Sequence, residues 1–314
     1  MISAFALLAG AMAVGLLLPG VLRRLHRTMV DPRVLLSAWL LSIVGVLSGV
    51  AIAVILLLIP DHRPASNLLT LIHQCWITVS HGATPRVEEF VGVLGGLAFL
   101  GVALRFAVIA AQTVRRRSRA SQKHLTTLRI AARVDGGTLW LDHDRPLAFS
   151  LGGPVPAIVA TEGLNRYLSS AEVAAVLEHE RAHLRGRHHL LITWVDALAV
   201  AIPFVRLFRQ APAAVRELVE LAADVAAVRA CGADTVHSAL IGVCRDGSPT
   251  DALAMARDGV ELRLARLCGG IAPAGRIRTN LACGLTAAAA VALPIWTGIW
   301  VLLSIALVSC PIFR

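Results

Sequence analysis

Long uninterrupted apolar runs decide first what this chain can become. Residues 2–22, 34–60, 91–111 and 280–309 are nearly free of charge. Each reaches the ~20 residues that a helix rising ~1.5 Å per residue needs to cross ~30 Å of hydrocarbon. In lipid every backbone N–H and C=O must find its partner inside the protein, so these runs read as spanning helices. A chain of 314 residues that is 56% hydrophobic and 16% charged, with mean hydropathy +0.71, agrees with a membrane protein and excludes a disordered one. Cys75, Cys231, Cys244, Cys268, Cys283 and Cys310 form no C-x-x-C pair. That excludes a redox motif and a Cys-rich zinc ribbon, and six thiols in a chain of this length do not make a disulfide-stapled module.

The formal charge of +10 is unevenly placed. Loop 23–33 carries Arg23, Arg24, Arg27 and Arg33, and loop 112–129 carries Arg115, Arg116, Arg117, Arg119, Lys123 and Arg129, whereas 61–90 has only Arg63 and Arg86. Basic loops stay cytoplasmic, which predicts an outside N-terminus and a plasma-membrane, multi-pass topology. Residues 1–111 then hold three transmembrane helices and 112–279 a cytoplasmic domain. Residues 280–314 supply a fourth span and a short external tail. The first run is not a removable signal peptide, because its charges follow the apolar stretch. The basic run 115–119 has no interleaved aromatics and sits directly after a span, so it is read as facing anionic headgroups of the lipid bilayer, with no direct nucleic-acid contact. Gly45/Gly49 and Gly92/Gly96 have G-x-x-x-G spacing, which permits close helix packing within the chain or in a homodimer. Stretch 190–205 is short and contains Asp196 and Pro203, so it reads as a buried or membrane-lying helix.

Within the polar block the pattern changes. Segments 137–142, 147–151 and 155–161 read as short strands separated by Asp142-His143-Asp144-Arg145-Pro146 and by Gly152-Gly153-Pro154. Ser169-Ser170-Ala171-Glu172 fits a capping box and predicts a helix start. That helix carries His179-Glu180-Arg181-Ala182-His183, an H-E-x-x-H motif. Residues four apart share a helix face, so both imidazoles can bind one zinc while Glu180 reaches a water beside it. Zinc needs a third protein ligand. Glu220 is the best candidate, because Asp224 shares its face and can orient a ligating histidine; Glu217 is the rival and lacks an acid four residues on. If 190–205 crossed the bilayer once, Glu220 would be stranded on the far side from His179, so that segment must return or never cross.

Pro146-Leu147-Ala148-Phe149, Ile158 to Leu164, the H-E-x-x-H helix continuing to Arg187-His188-His189, and Glu220-Leu221-Ala222-Ala223-Asp224 together resemble the protease domain of BlaR/MecR-type membrane zinc metallopeptidases, a group related to the HtpX and CAAX prenyl protease peptidases. The resemblance covers about residues 125–270. It implies an α-helical polytopic membrane protein with a cytoplasmic α+β zincin-like metalloprotease domain, a gluzincin. One zinc per chain would be held by His179, His183 and Glu220, with Glu180 as base and Asp224 behind the ligands. It also implies that 147–151, with Leu147, Ala148 and Phe149, is the edge strand that pairs with a protein or peptide substrate. The chain departs from those sensors by stopping at Arg314, without their large extracellular penicillin-binding domain. His237 and Arg229 are the candidates for an oxyanion partner. A BlaI-like transcriptional repressor is the expected substrate of a signalling protease. The alternatives are an HtpX-like quality-control protease and a non-catalytic receptor that keeps the metal site. A transporter is disfavoured because the apolar runs have few ionisable groups.

Overall fold

The computed structural model describes residues 2–26, 30–58, 87–247 and 253–268, with isolated positions beyond 280. Apart from those positions, the expected fourth span at 280–309 lies outside the described residues, as does most of loop 61–90. Helix α1 is Ile2–His26 and α2 is Pro32–Leu58. Asp31 starts α2: its carboxylate accepts the Arg33 N–H at 2.8 Å, and Pro32 fills the first helical position, where an N–H has no partner to find. Helix α3 runs from Val87 to Ala131, 45 residues. The described helices include three long and apolar enough to cross a membrane, over Ala4–Leu25, Pro32–Leu57 and Val93–Ala131. The basic stretch 112–129, expected as a loop, is instead the continuation of α3. It has no Gly or Pro and is rich in the straight-chain residues that favour helix.

A four-stranded sheet follows: β1 (Arg133–Asp135), β2 (Thr138–Leu141), β3 (Ala148–Leu151) and β4 (Ala157–Thr161), in the order β1-β2-β4-β3. Strand β4 pairs parallel with β2 and antiparallel with β3, and all five of its residues are buried. Among the described residues, strand β3 therefore ends the sheet with one edge unpaired. The three expected strands correspond to β2, β3 and β4. Strand β1 was not expected, since three exposed residues with a single apolar side chain are too short a run to read as a strand. It is joined to β2 through Gly136 and Gly137, both at positive φ as a tight hairpin turn requires.

The remaining helices are α4 (Glu162–Tyr167), α5 (Ser170–Arg185), α6 (His188–Ala201), α7 (Arg206–Cys231), α8 (Ala233–Gly247) and α9 (Leu253–Cys268). The capping box at the start of α5 is complete: the Ser169 hydroxyl accepts the Glu172 N–H, and the Glu172 carboxylate accepts the Ser169 N–H at 2.8 Å.

Helices α6 and α7 form a hairpin that enters the bundle of α1 and α2. Leu207, Phe208, Val215 and Leu218 are buried in one core with Trp39 and Ile43 of α2 and Val14 of α1. The turn reaches the middle of the first span: a Cβ on Gly15 would lie 2.9 Å from Val205 Cγ1. Inside lipid, exclusion from water no longer drives such packing, and close dispersion contacts and internal polar bonds must hold it. Asp196, the one acid of α6, pairs with Arg117 of α3 at 3.1 Å and with Arg216 of α7 at 2.7 Å. The Arg105 guanidinium of α3 donates to the Val200 carbonyl at 3.1 Å, in the last turn of α6, where carbonyls lack helical partners. Gly45 and Gly49 are buried inside the chain.

Phe204, at the hairpin tip, is 69% exposed. A tip lying at mid-membrane predicts that Phe204→Cys in a Cys-free background resists aqueous maleimides added from either side and reacts with a lipid-soluble one. Aqueous labelling from the side opposite residue 187 would mean that the segment crosses.

Candidate metal centre

The donors come from two helices that the hairpin brings side by side. Helix α5 presents His179 and His183 one turn apart, and α7 presents Glu220 and Asp224 with the same spacing. The two Nε2 atoms are 3.1 Å apart, and Glu220 Oε2 and Oε1 lie 3.4 Å from His179 Nε2 and 3.5 Å from His183 Nε2. One ligand atom from each of the three residues fits within a spread of 4.8 Å. A tetrahedral zinc with ligands at ~2.0–2.1 Å separates them by about 3.3 Å, so both the spacing and the chemistry of two imidazoles and a carboxylate fit the ion. Glu217, the rival, is exposed on α7 and outside this group.

A layer behind the donors sets their direction. Asp224 Oδ1 lies 3.0 Å from His179 Nδ1, which turns Nε2 toward Glu220. Asp224 is itself gripped by both arms of Arg263 from α9, Nε and Nη2 each at 2.7 Å. Arg263 Nη1 also stands 3.6 Å from Glu220. His183 has its own support: His188 Nδ1 is 2.9 Å from His183 Nδ1. The turn between α5 and α6 makes that contact. Arg187 adopts the left-handed φ of 47°, and a Cβ on Gly186 would come within 2.3 Å of His188 Nε2, so only glycine leaves room for the returning imidazole.

Burial opposes charge on His179, yet hydrogen bonds to Asp224 and Glu220 outweigh it and raise its pKa to about 9. Burial likewise favours a neutral Glu220, but its bonds to His179 and His183 hold the carboxyl well below the usual range. Asp224 is lowered in the same way by His179 and Arg263, against burial. His188 moves oppositely, down to about 4, first through burial and then through the neighbouring His183. A metal must displace the His179 proton to bind, so proton and cation compete for one site.

Glu180 lines the clefts on both sides of His179. One of them is bordered by Phe149 and Ser150 of the edge strand β3, the other by Ala148 of the same strand. Leu147 lies just before the strand and is tied to Thr161 through its N–H at 2.9 Å. Neither oxyanion candidate reaches these clefts. His237 is engaged with Cys268 at 3.4 Å, and Arg229 is exposed in the last turn of α7. Nothing local in the sequence points to Arg263, which lies 39 residues from the Asp224 it grips. His188 stands in the quoted motif, but its role becomes visible only when the turn folds.

Residues 131–240 match the sequence family described as Peptidase family M48. Those residues contain the sheet, α5 to α7 and all three donors. Peptidases of that family are zinc-dependent. The chain is also similar to a protease HtpX homolog of Acidiphilium cryptum (strain JF-5), 42% identical over 67 residues. That similarity spans 21% of this chain and 23% of the relative's length. No solved structure matches significantly.

Because Asp224 is 6% exposed and Arg263 18%, removing the guanidinium strips a nearly buried carboxylate of its two-armed partner and leaves it His179. Arg263→Ala should lower the unfolding free energy by about 3–5 kcal/mol. Arg263→Lys should not restore it, since an ammonium cannot reproduce the two-armed grip. Wild-type thermal unfolding in the lysine variant would contradict this role.

Proposed function

We propose that this chain is a zinc-dependent endopeptidase of the membrane that cleaves a protein substrate beside the bilayer. The observation that carries the reading is the convergence of two α5 imidazoles and one α7 carboxylate within a spread of 4.8 Å, with Glu180 in the cleft beneath an unpaired sheet edge. His179, His183 and Glu220 would hold the zinc, and Asp224 and His188 would aim the two imidazoles. Bound there, zinc supplies a Lewis acid that polarises a carbonyl and lowers the pKa of water toward ~7.

The chain's own groups do the rest. The open edge of β3 holds the substrate extended by main-chain hydrogen bonds. Glu180 accepts a proton from water at a carboxylate oxygen and returns it to the departing nitrogen. Hydrolysis thus breaks the C–N bond, with hydroxyl added to the carbonyl carbon and hydrogen to the amine.

The Arg distribution supports a plasma-membrane protein with an outside N-terminus and a cytoplasmic site. The order of motifs after three spans favours a BlaR/MecR-like signalling protease, with a BlaI-like repressor as substrate. A receptor without activity is disfavoured, because a structural metal site has no use for Glu180.

Two variants test the reading on protein reconstituted in lipid with zinc and casein. Glu180→Gln should reduce cleavage at least about 100-fold while zinc content stays at one per chain, since that side chain moves protons and is not a donor to the metal. His183→Ala should lose the zinc. Cleavage at the wild-type rate in the first, or full zinc retention in the second, removes the proposed mechanism.

A further inference from the structure

A cavity of about 410 Å³ lies between α3 and the start of α6, within the ~300–1,000 Å³ of small-molecule sites. Arg117, Ser118 and Ser121 line it from one face of α3, and His189 and Thr193 from the first turns of α6; the chain leaving β3 closes it. His179, Glu180, His183 and Glu220 do not reach it. Gly152 and His189 form the wall it shares with the cleft of Glu180. A Cβ on Gly152 would come within 2.4 Å of His189 Cγ, so glycine there lets the imidazole lie against the backbone. The Ser121 hydroxyl holds the same wall from the α3 side, donating to the Gly152 carbonyl at 3.0 Å.

The cavity is basic, and none of its lining residues among the described ones is acidic. Arg117 donates to the Thr193 hydroxyl at 2.7 Å and to Asp196 at 3.1 Å. Arg216 already reaches both oxygens of that carboxylate, at 2.7 and 2.8 Å. Two guanidinium groups thus meet one carboxylate, and a positive charge is left over. Arg117 uses one donor of each terminal nitrogen in these contacts and keeps others for a further acceptor. The surplus acts on its neighbour: burial, and then Arg187 and Arg117, hold the His189 imidazole below its usual pKa. A phosphate answers this arrangement, because its several oxygens accept the paired N–H groups of a guanidinium.

Depth selects among phosphates. Arg117 stands in the basic stretch that directly follows the apolar run 91–111, the level at which basic side chains meet anionic headgroups. Trp194, beside Thr193 on α6 and half-exposed, packs on Phe106 of α3 with ring centroids 5.2 Å apart, and tryptophan is enriched at the membrane–water boundary. Val114, one turn nearer the span than Arg117, and Leu190 make part of the cavity apolar. We propose that this cavity binds the phosphate of an anionic phospholipid, with the glycerol and first acyl carbons beside Val114 and Leu190. A phosphate held there ties α3 to the first turn of α6, the turn that also delivers His188 to His183. The site is separate from the peptidase reading and stands without it.

The test uses the full chain in nanodiscs of phosphatidylcholine, alone or mixed with phosphatidylglycerol, and needs no substrate. Native mass spectrometry of protein released from the mixed discs should show phosphatidylglycerol retained in preference to phosphatidylcholine. Ser118→Glu sets a carboxylate in the cavity and should lower that retention at least about fivefold. Arg119→Glu changes charge more, in the same basic stretch but outside the cavity, and should leave retention nearly unchanged. In the wild type, amide hydrogen exchange at residues 187–193 should slow when phosphatidylglycerol is present. No preferential retention, a loss in Arg119→Glu as large as in Ser118→Glu, or exchange indifferent to phosphatidylglycerol overturns the proposal. Equal slowing by millimolar inorganic phosphate in pure phosphatidylcholine overturns the lipid as occupant and leaves a soluble phosphate in its place.

Discussion

Glu220 reaches His179 and His183 only because the chain between them enters the span bundle and comes back. A single crossing would separate the donors by the whole bilayer. The return needs a hairpin short enough to turn within the span bundle, and α6, with 14 residues, is shorter than the ~20 a crossing needs. It needs an answer for Asp196, which Arg117 and Arg216 provide at 3.1 and 2.7 Å. It also needs a bundle with room at its centre, which Gly15 provides beside Val205. Packing in the spans and geometry at the donors are therefore one problem, solved by one pair of helices.

The second dependence is electrostatic. Four side chains of alternating sign, Glu220, His179, Asp224 and Arg263, form a chain of contacts between 2.7 and 3.6 Å long. Each member is costly to bury alone, and each is kept charged by its neighbours. This holds His179 in the one orientation that offers Nε2 to a metal, but it also raises that imidazole to about 9, so a bound cation displaces a proton. His183 is held by a different device, a neutral His188 delivered by a left-handed turn. The two imidazoles are thus supported from opposite sides, by α9 through Asp224 and by the start of α6.

Much of this is legible in the sequence, because the controlling signals are local. The H-E-x-x-H spacing, the Ser169 and Glu172 box and the Glu220 to Asp224 step each need only helix geometry, and the apolar runs need only a count of residues. The turn residues that bound strands β2 to β4 are similarly local, whereas β1 is exposed throughout and has a single apolar side chain. The basic stretch 112–129 misleads because charge reports the side of the membrane and not the secondary structure, which here stays helical. Arg263 and the His188 contact are set by tertiary folding alone, and His237 and Arg229 follow Glu220 closely in sequence, a nearness that the orientation of α7 and α8 does not convert into nearness in space.

In the proposed centre, two imidazoles and one carboxylate share a zinc ion. X-ray absorption at the zinc edge on the full chain in lipid tests this most directly. The expected spectrum has a first shell of nitrogen and oxygen only, at about 2.0–2.1 Å, with the outer scattering of two imidazoles. A sulfur shell at about 2.3 Å, or an imidazole count other than two, would contradict it.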